Sequence, residues 1–306
     1  MKVSSLKQPK VAIIISTYNQ GDLLKKCILS LRSKTYYKQY RVYVIDDSGK
    51  GEIGKEIKKS FSWVRTIINK KNLGFSKSNN LGIKVALKEY DPDYILLLND
   101  DTEIIQKNWL KKMVETGESD KTIGIMGCRI VYPDMSLQNI GGYMRKWEIV
   151  KELKEKKEVF EVDHVMGSFL LMKREIINKI GLLDEFYTPY LLEDTDYCLR
   201  AKKAGFKVVS VPSVTIIHKK GKTIDSLKDK KSIFIRFKND IYFSIKHLKI
   251  NYALFRVFVY LPLVAILKKK KDEDELRLKN FVLRKNFLIN LWYYQTSLFY
   301  VLMHST

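Results

Sequence analysis

The chain has 306 residues, 45% of them hydrophobic and 12% aromatic, with only 15 Gly and 6 Pro. This supports a sizeable core and excludes a disordered, fibrous or low-complexity protein. Lys and Arg number 56 against 34 Asp and Glu, and the charge of +22 implies a polyanionic neighbour: nucleic acid, an anionic membrane face or a phosphorylated substrate. Cys27, Cys128 and Cys198 lie far apart, form no C-x-x-C pair and offer no zinc spacing, which fits a reducing cytosol.

The basic start MKVSSLKQPK leads into VAIIIS, which is too short for a signal h-region. Val11 to Ser16 is instead an apolar, β-branched run, as expected of a strand buried on both faces. Asn19-Gln20-Gly21-Asp22 is turn chemistry, with Asp22 placed to cap a helix carrying Leu23, Leu24, Cys27, Ile28 and Leu31. Arg41 to Ile45 is a second strand and Trp63 to Ile68 a third. Ser78 to Leu87 has helical spacing, and Tyr94 to Leu98 is another buried strand. Alternating strands and helices predict an α/β fold with a mostly parallel sheet.

Beyond residue 105 the order changes. Ile123 to Met126, Gly127 to Tyr132 and Val165 to Met172 read as strands around Gly-rich turns. Helices are expected at Arg174 to Ile180 and Thr195 to Ala204, and short strands at Lys207 to Val211 and Val214 to Ile217. Residues 106 to about 225 thus form a second half that extends the first sheet. After it, Tyr252 to Leu267 is apolar apart from Arg256 and runs into Lys268 to Lys271 and then four acidic residues. Phe281 to Met303 is rich in aromatics. Neither segment is a clean transmembrane helix, which needs about 20 apolar residues.

Chemistry concentrates where strands stop. Asp46-Asp47 and Asp100-Asp101 would sit at the carboxyl rim of the sheet, where open α/β sheets bind ligands. Such carboxylates either start a turn or hold ribose, base or a hard cation that also binds phosphate oxygens. Asn72 to Gly82 contains Gly74 for a tight turn, and Ser78 or Asn79 as a cap for a helix whose N-terminus attracts phosphate. The absence of G-x-G-x-x-G and G-x-x-x-x-G-K-[ST] weakens dinucleotide and P-loop readings. Glu193-Asp194-Thr195-Asp196 places three carboxylates at a helix start. They serve as caps with an Asp196–Arg200 pair, or one of them as a general base. His218 ends an apolar strand before a basic, Gly-containing loop, as a structural group or as a metal or diphosphate ligand.

In this order and spacing, Ile15 to Asn19, Val44 to Ser48, Asn72 to Phe75 with Asn79-Asn80, Leu98 to Thr102, Glu193 to Asp196 with Arg200, and His218 with Gly221 form one pattern. The pattern resembles family 2 glycosyltransferases of the GT-A fold, particularly the rhamnosyltransferase-like branch. The resemblance runs from about Val11 to about Thr223. It implies a GT-A domain over 1–225, with a nucleotide-binding half (1–105) and an acceptor-binding half (106–225). Residues 226–306 form a C-terminal amphipathic helical region outside it. The resemblance puts Thr17, Tyr18, Asn19, Asp46, Asp47, Asn72, Gly74, Asn79, Asp100 and Glu193 on the nucleotide or substrate. It makes Asp101 and His218 ligands of Mn²⁺ or Mg²⁺, and Asp194 the catalytic base. Asn99-Asp100-Asp101 stands where that branch often has Asn-Pro-Asp.

The implied activity is inverting, metal-dependent transfer from a UDP- or dTDP-sugar to a saccharide or lipid-linked acceptor. The aromatic, Lys-rich C-terminal region then suits peripheral contact with an anionic membrane at its cytoplasmic face. A nucleotidyltransferase would usually carry a Gly-rich basic loop where Ser16 to Gln20 stands. Nucleic-acid binding rests on charge alone, with no recognisable module and with the aromatics in apolar runs. A non-catalytic member that kept the fold would not need Asp101, Asp194 and His218 intact.

Overall fold

The computed structural model describes residues 8–146, 148–152, 154–219, 230–269, 281–283 and 287–304. Residues 1–7 of the N-terminal basic segment, Gly221 and Thr223 of the basic loop, and the charge run at 270–275 lie outside the described residues. The chain divides into two units, one comprising residues 1–143 and 149–221 and the other residues 144–148 and 222–306.

In the first unit, β1 (Val11–Thr17), α1 (Gly21–Lys34), β2 (Tyr40–Asp46), α2 (Glu52–Ser60), β3 (Val64–Ile68), α3 (Phe75–Glu89) and β4 (Tyr94–Leu98) alternate. β5 (Thr102–Ile104), α4 (Trp109–Ser119) and β6 (Ile123–Val131) follow. Short strands β7 (Leu137–Asn139), β8 (Gly142–Arg145), β9 (Glu148–Lys151) and β10 (Phe160–Glu161) come next in the chain. β11 (Phe169–Lys173), α5 (Arg174–Ile180), α6 (Glu193–Lys203) and β12 (Lys207–His218) complete the unit. Along the ten-stranded sheet the order is β10-β12-β6-β11-β4-β1-β2-β3, with β5 on β12 and β7 on β6.

β1 explains why the strands read as unbroken apolar runs. Val11, Ile13 and Ile15 pack on one side with Leu24 and Ile28 of α1, Ile57 of α2 and Trp109 of α4. Ala12 and Ile14 pack on the other with Ile83 of α3, Ile176 of α5 and Tyr197 of α6. Both faces are covered, so no polar alternation is needed. The three cysteines are free and buried in these layers.

Several elements differ from expectation. Asp22 does not cap α1: Gln20 precedes the helix, and the Asp22 side chain is exposed in its first turn, 3.8 Å from Lys25. α3 starts at Phe75, so Ser78 and Asn79 lie inside it rather than at its cap. Ile123–Val131 forms one strand, because Gly127 pairs with Ser210 within the ladder instead of ending it. Lys207 to His218 is also one strand, with a register shift between Val211 and Thr215. Pro212 falls in that shift, where its missing N–H breaks no ladder bond.

Pairing directions align the site. β1, β2 and β4 are mutually parallel. β11 runs antiparallel to both β4 and β6, and β12 is parallel to β6. The carboxyl ends of β1, β2, β4 and β12 therefore share one sheet edge with the amino end of β11.

The second unit contains α7 (Lys230–His247), α8 (Ile250–Phe255), a π-helical turn (Arg256–Tyr260), α9 (Leu261–Ile266) and α10 (Phe287–His304). Strands β13 (Leu267–Lys269) and β14 (Phe281–Leu283) pair antiparallel. Phe237 of α7 meets Tyr294 of α10 edge to face at 5.7 Å, and the Tyr294 hydroxyl donates to the Val257 carbonyl at 2.5 Å.

Candidate active site

At the end of β1 the Thr17 hydroxyl donates to Asp100 Oδ2 at 2.6 Å. Tyr18 and Asn19 follow in the exposed loop, Asn19 with φ +57° and Tyr18 with half of its surface open. Asp46 and Asp47, alike in sequence, are engaged differently. Asp46 is fully buried, and its two oxygens accept from the Ser48 and Gly54 amides, shaping the turn into α2. Asp47 reaches across to the loop before α3. Its Oδ1 accepts from Asn69 Nδ2 and the Leu73 amide, and its Oδ2 from the Gly74 amide.

Asn72 Oδ1 also accepts from the Gly74 amide. Gly74 has φ +80°, and a Cβ there would lie 2.7 Å from the Pro189 Cα, so the 188–190 segment crosses directly over it. The Asn79 amide donates to Ser16 Oγ and the Phe75 carbonyl. With Asn79 1% exposed, it ties α3 to β1 instead of facing the cleft.

The second pair sits past β4. Asp100 is buried, and burial, with a further push from the Asp101 charge, raises its carboxyl to about 7 despite the Thr17 hydrogen bond. Antiparallel pairing of His218 with Thr102 brings Asp101 alongside. His218 Nε2 lies 3.1 Å from Asp101 Oδ1, with both side chains more than nine-tenths buried. His218 Nδ1 lies 2.7 Å from Gln138 Oε1 on β7. If Nδ1–H donates to Gln138, Nε2 turns its lone pair toward the carboxylate, as in a metal-ligating imidazole with an outer-shell acceptor. The donors fit a hard or borderline divalent cation. Among the described residues no group of three or more His, Cys, Asp or Glu is placed to hold a metal, so the shell would be completed by phosphate oxygens and water.

The third cluster opens α6. Leu191 and Leu192 both have positive φ, +82° and +73°, a strained entry that sets where the first helical residues point. Asp194 Oδ2 accepts from the Gly167 amide at 2.7 Å, just before β11, and Oδ1 accepts from the Thr195 amide at 2.6 Å. A Cβ on Gly167 would come within 3.2 Å of the Asp194 carboxylate. Glu193 is buried, and its Oε2 has no hydrogen-bond partner among the described residues. Burial, and then the Asp194 and Asp196 charges, push its carboxyl well above the usual range. Asp196 is fully buried and pairs with Arg200 at 2.8 Å, the structural half of the cluster.

Asp100, Asp101, Asp194 and His218 thus meet at one sheet edge. Three contributors escaped the sequence reading: Gln138 and Gly167 support His218 and Asp194, and Asn69 braces Asp47. Asn80, recognised in the Asn79-Asn80 pair but given no role there, exchanges hydrogen bonds with the backbone of Leu183.

Comparison with known proteins bears on the family and the fold. The family model described as Glycosyl transferase family 2 matches residues 12–181. Uncharacterized protein y4gI of Sinorhizobium fredii is 26% identical over 69% of this chain but 24% of its own length, so this chain spans about a quarter of that relative. The low-salt glycan biosynthesis hexosyltransferase Agl10 of Haloferax volcanii is 23% identical over 78% of this chain and 76% of its own. Rhamnosyltransferase WbbL of Escherichia coli is 26% identical over 68% and 83%.

Among solved structures, a mannosyltransferase of Pyrobaculum calidifontis in complex with GDP-Man and Mn²⁺ aligns with TM-score 0.55. It is 12% identical over 98% of this chain and 76% of its own. GalNAc-T7 with UDP, GalNAc and Mn²⁺ aligns with TM-score 0.60 at 16% identity over 85% and 51%. Both are GT-A glycosyltransferases, and the likeness gives the fold. With its model matching more than half of the 306 residues, the protein belongs to glycosyl transferase family 2.

Proposed function

We propose that this protein moves a sugar from a UDP- or dTDP-linked donor to a hydroxyl of a saccharide or lipid-linked acceptor, inverting the anomeric centre. The observation that carries the reading is the placement of Asp194. Its carboxylate is partly buried, anchored through both oxygens by backbone amides, and set on the edge that also bears Asp101 and His218.

The donor's nucleotide lies against the loops after β1, β2 and before α3, with Asp47 holding the Leu73–Gly74 backbone in shape. Asp101 and His218 would hold the divalent cation, which when bound would offset negative charge on the diphosphate. Asp194 accepts the proton of the acceptor hydroxyl as its oxygen attacks the anomeric carbon opposite the leaving group. One base and one in-line displacement give inversion. The amides of Gly167 and Thr195 fix the carboxylate's orientation, so that little is lost to reorientation during attack. Peripheral contact with an anionic membrane at its cytoplasmic face belongs to the same reading, as it suits a lipid-linked acceptor.

A thermal-shift panel of UDP-, dTDP- and GDP-sugars with Mn²⁺, Mg²⁺ or EDTA tests donor binding. A metal-dependent shift with a UDP- or dTDP-sugar is expected. Proton NMR of the glycoside then reports the anomeric configuration. Retention would overturn the single-displacement mechanism, and a GDP-only response would overturn the donor class.

A further inference from the structure

We propose that the second unit docks on an anionic lipid bilayer through the apolar faces of α8–α9 and α10. The helical stretch from Ile250 to Ile266 is apolar on two sides. Ala253, Val257, Leu261 and Ala265, spaced four apart, are buried. The opposite side presents Ile250 (74% exposed), Leu254, Phe255, Phe258 (59%), Val259 and Leu263 to solvent. α10 behaves likewise. Tyr294, Ser297 and Val301 are buried, while Leu288 (67%), Trp292, Phe299 and Met303 are exposed. Between Phe287 and His304 the sequence has no Asp, Glu, Lys or Arg at all. A surface helix of a soluble protein puts charge on its outer face, and an apolar face of this extent marks a binding surface.

Charge identifies the occupant. Residues 230–269 include nine Lys or Arg and a single acid, Asp240, whose carboxylate is spent on Arg256 at 2.9 Å. Arg236 and Lys249 are exposed, Lys249 directly before Ile250. A protein partner would need a matching acidic, apolar surface, whereas an anionic leaflet supplies both properties over any area. The mode is lying rather than crossing. One side of each helix is already packed, only the other is offered, and among the described residues no helix is long and apolar enough to cross a membrane. Trp292 sits on the offered side, as aromatic residues do at the lipid–water boundary.

Full-length protein is sedimented with phosphatidylcholine vesicles, with and without phosphatidylglycerol, while Trp292 emission is followed against a Trp292→Phe control. Binding to the phosphatidylglycerol-containing vesicles, weakened by salt and accompanied by a blue shift of Trp292, is expected. Phe258→Asp and Leu288→Asp alter exposed positions, so thermal midpoint and nucleotide-sugar binding should stay as in the wild type. Each should weaken partitioning by roughly tenfold or more. Wild-type protein that stays in the supernatant, or variants that partition like wild type, would overturn the proposal. Equal binding to pure phosphatidylcholine would remove the anionic requirement. A lipid-free dimer that Phe258→Asp or Leu288→Asp converts to monomer would assign the face to a second copy. This docking deepens the membrane contact of the proposed function, but partitioning and thermal midpoint are read without a nucleotide sugar, so its failure and that of the transferase reading are distinguishable.

Discussion

Glu193→Gln isolates one cost built into the site. Glu193 opens α6 with 7% of its surface exposed, an Oε2 without a partner among the described residues, and Asp194 and Asp196 as neighbours. Burial first and these charges second raise its carboxyl well above the usual range. In the unfolded chain the same group ionises near ~4.3. Below that value both states hold the proton, and Glu193 contributes nothing to pH dependence. Above it the unfolded chain has released a proton that the native state keeps, so stability falls as pH rises. The loss is about 1.4 kcal/mol per pH unit for one proton, and it stops when the native group ionises. Glutamine has nearly the same shape and does not titrate. Urea unfolding in EDTA, from mildly acid to neutral pH, should therefore show Glu193→Gln gaining on wild type by about that slope, with no gain at the acid end. Parallel stability profiles for the two proteins would refute the buried, protonated assignment.

Four further substitutions probe the site. Asp194→Asn should lower turnover by roughly 10²–10⁴-fold while UDP affinity stays within a few fold; normal turnover would remove the base. Asp101→Ala should abolish the Mn²⁺ dependence of nucleotide binding in calorimetry, and unchanged affinity with and without Mn²⁺ would remove the metal site. Gln138→Leu should weaken Mn²⁺ binding by roughly 10–100-fold, read from the free-ion resonance signal, and wild-type affinity would make Gln138 a mere neighbour of His218. Gly74→Ala places a Cβ 2.7 Å from the Pro189 Cα at φ +80°, and should cost roughly 1–3 kcal/mol in urea unfolding; no loss would mean that the 188–190 segment yields freely.

The strands were legible because burial on both faces leaves an unmistakable mark: Val11 to Ile15 and Tyr94 to Leu98 are apolar at every position and buried throughout. α2 escaped notice because only Gly54 and Ile57 of Glu52–Ser60 are buried, too few for a periodic signal. Ser78 and Asn79 looked like caps since such side chains favour helix starts, yet here the Gly74 turn and the Phe75–Pro189 hydrogen bond begin α3 earlier. In the site, carboxylates and a histidine at strand ends are chemically conspicuous. Gln138 is not, and its partner His218 is 80 residues away. The Gly167 amide leaves no sequence trace at all, since every residue other than proline has one. Legibility therefore followed chemical distinctiveness for the groups proposed to react, and failed for those that hold them.

The acidic residues of the sheet edge divide by what their oxygens do. Asp46 and Asp47 accept from backbone and amide donors, so their charge is repaid within the fold. Asp100 and Glu193 are displaced upward by burial and by their acidic neighbours, so their ionised forms cost the folded chain free energy. A protein of net charge +22 has many cations, yet no Lys or Arg hydrogen bond or ion pair is drawn to Asp100, Glu193 or Asp194 among the described residues. Asp100 directly precedes Asp101 and Glu193 directly precedes Asp194, so the carboxylates whose ionisation costs the fold are chain neighbours of those that a metal-dependent displacement would use.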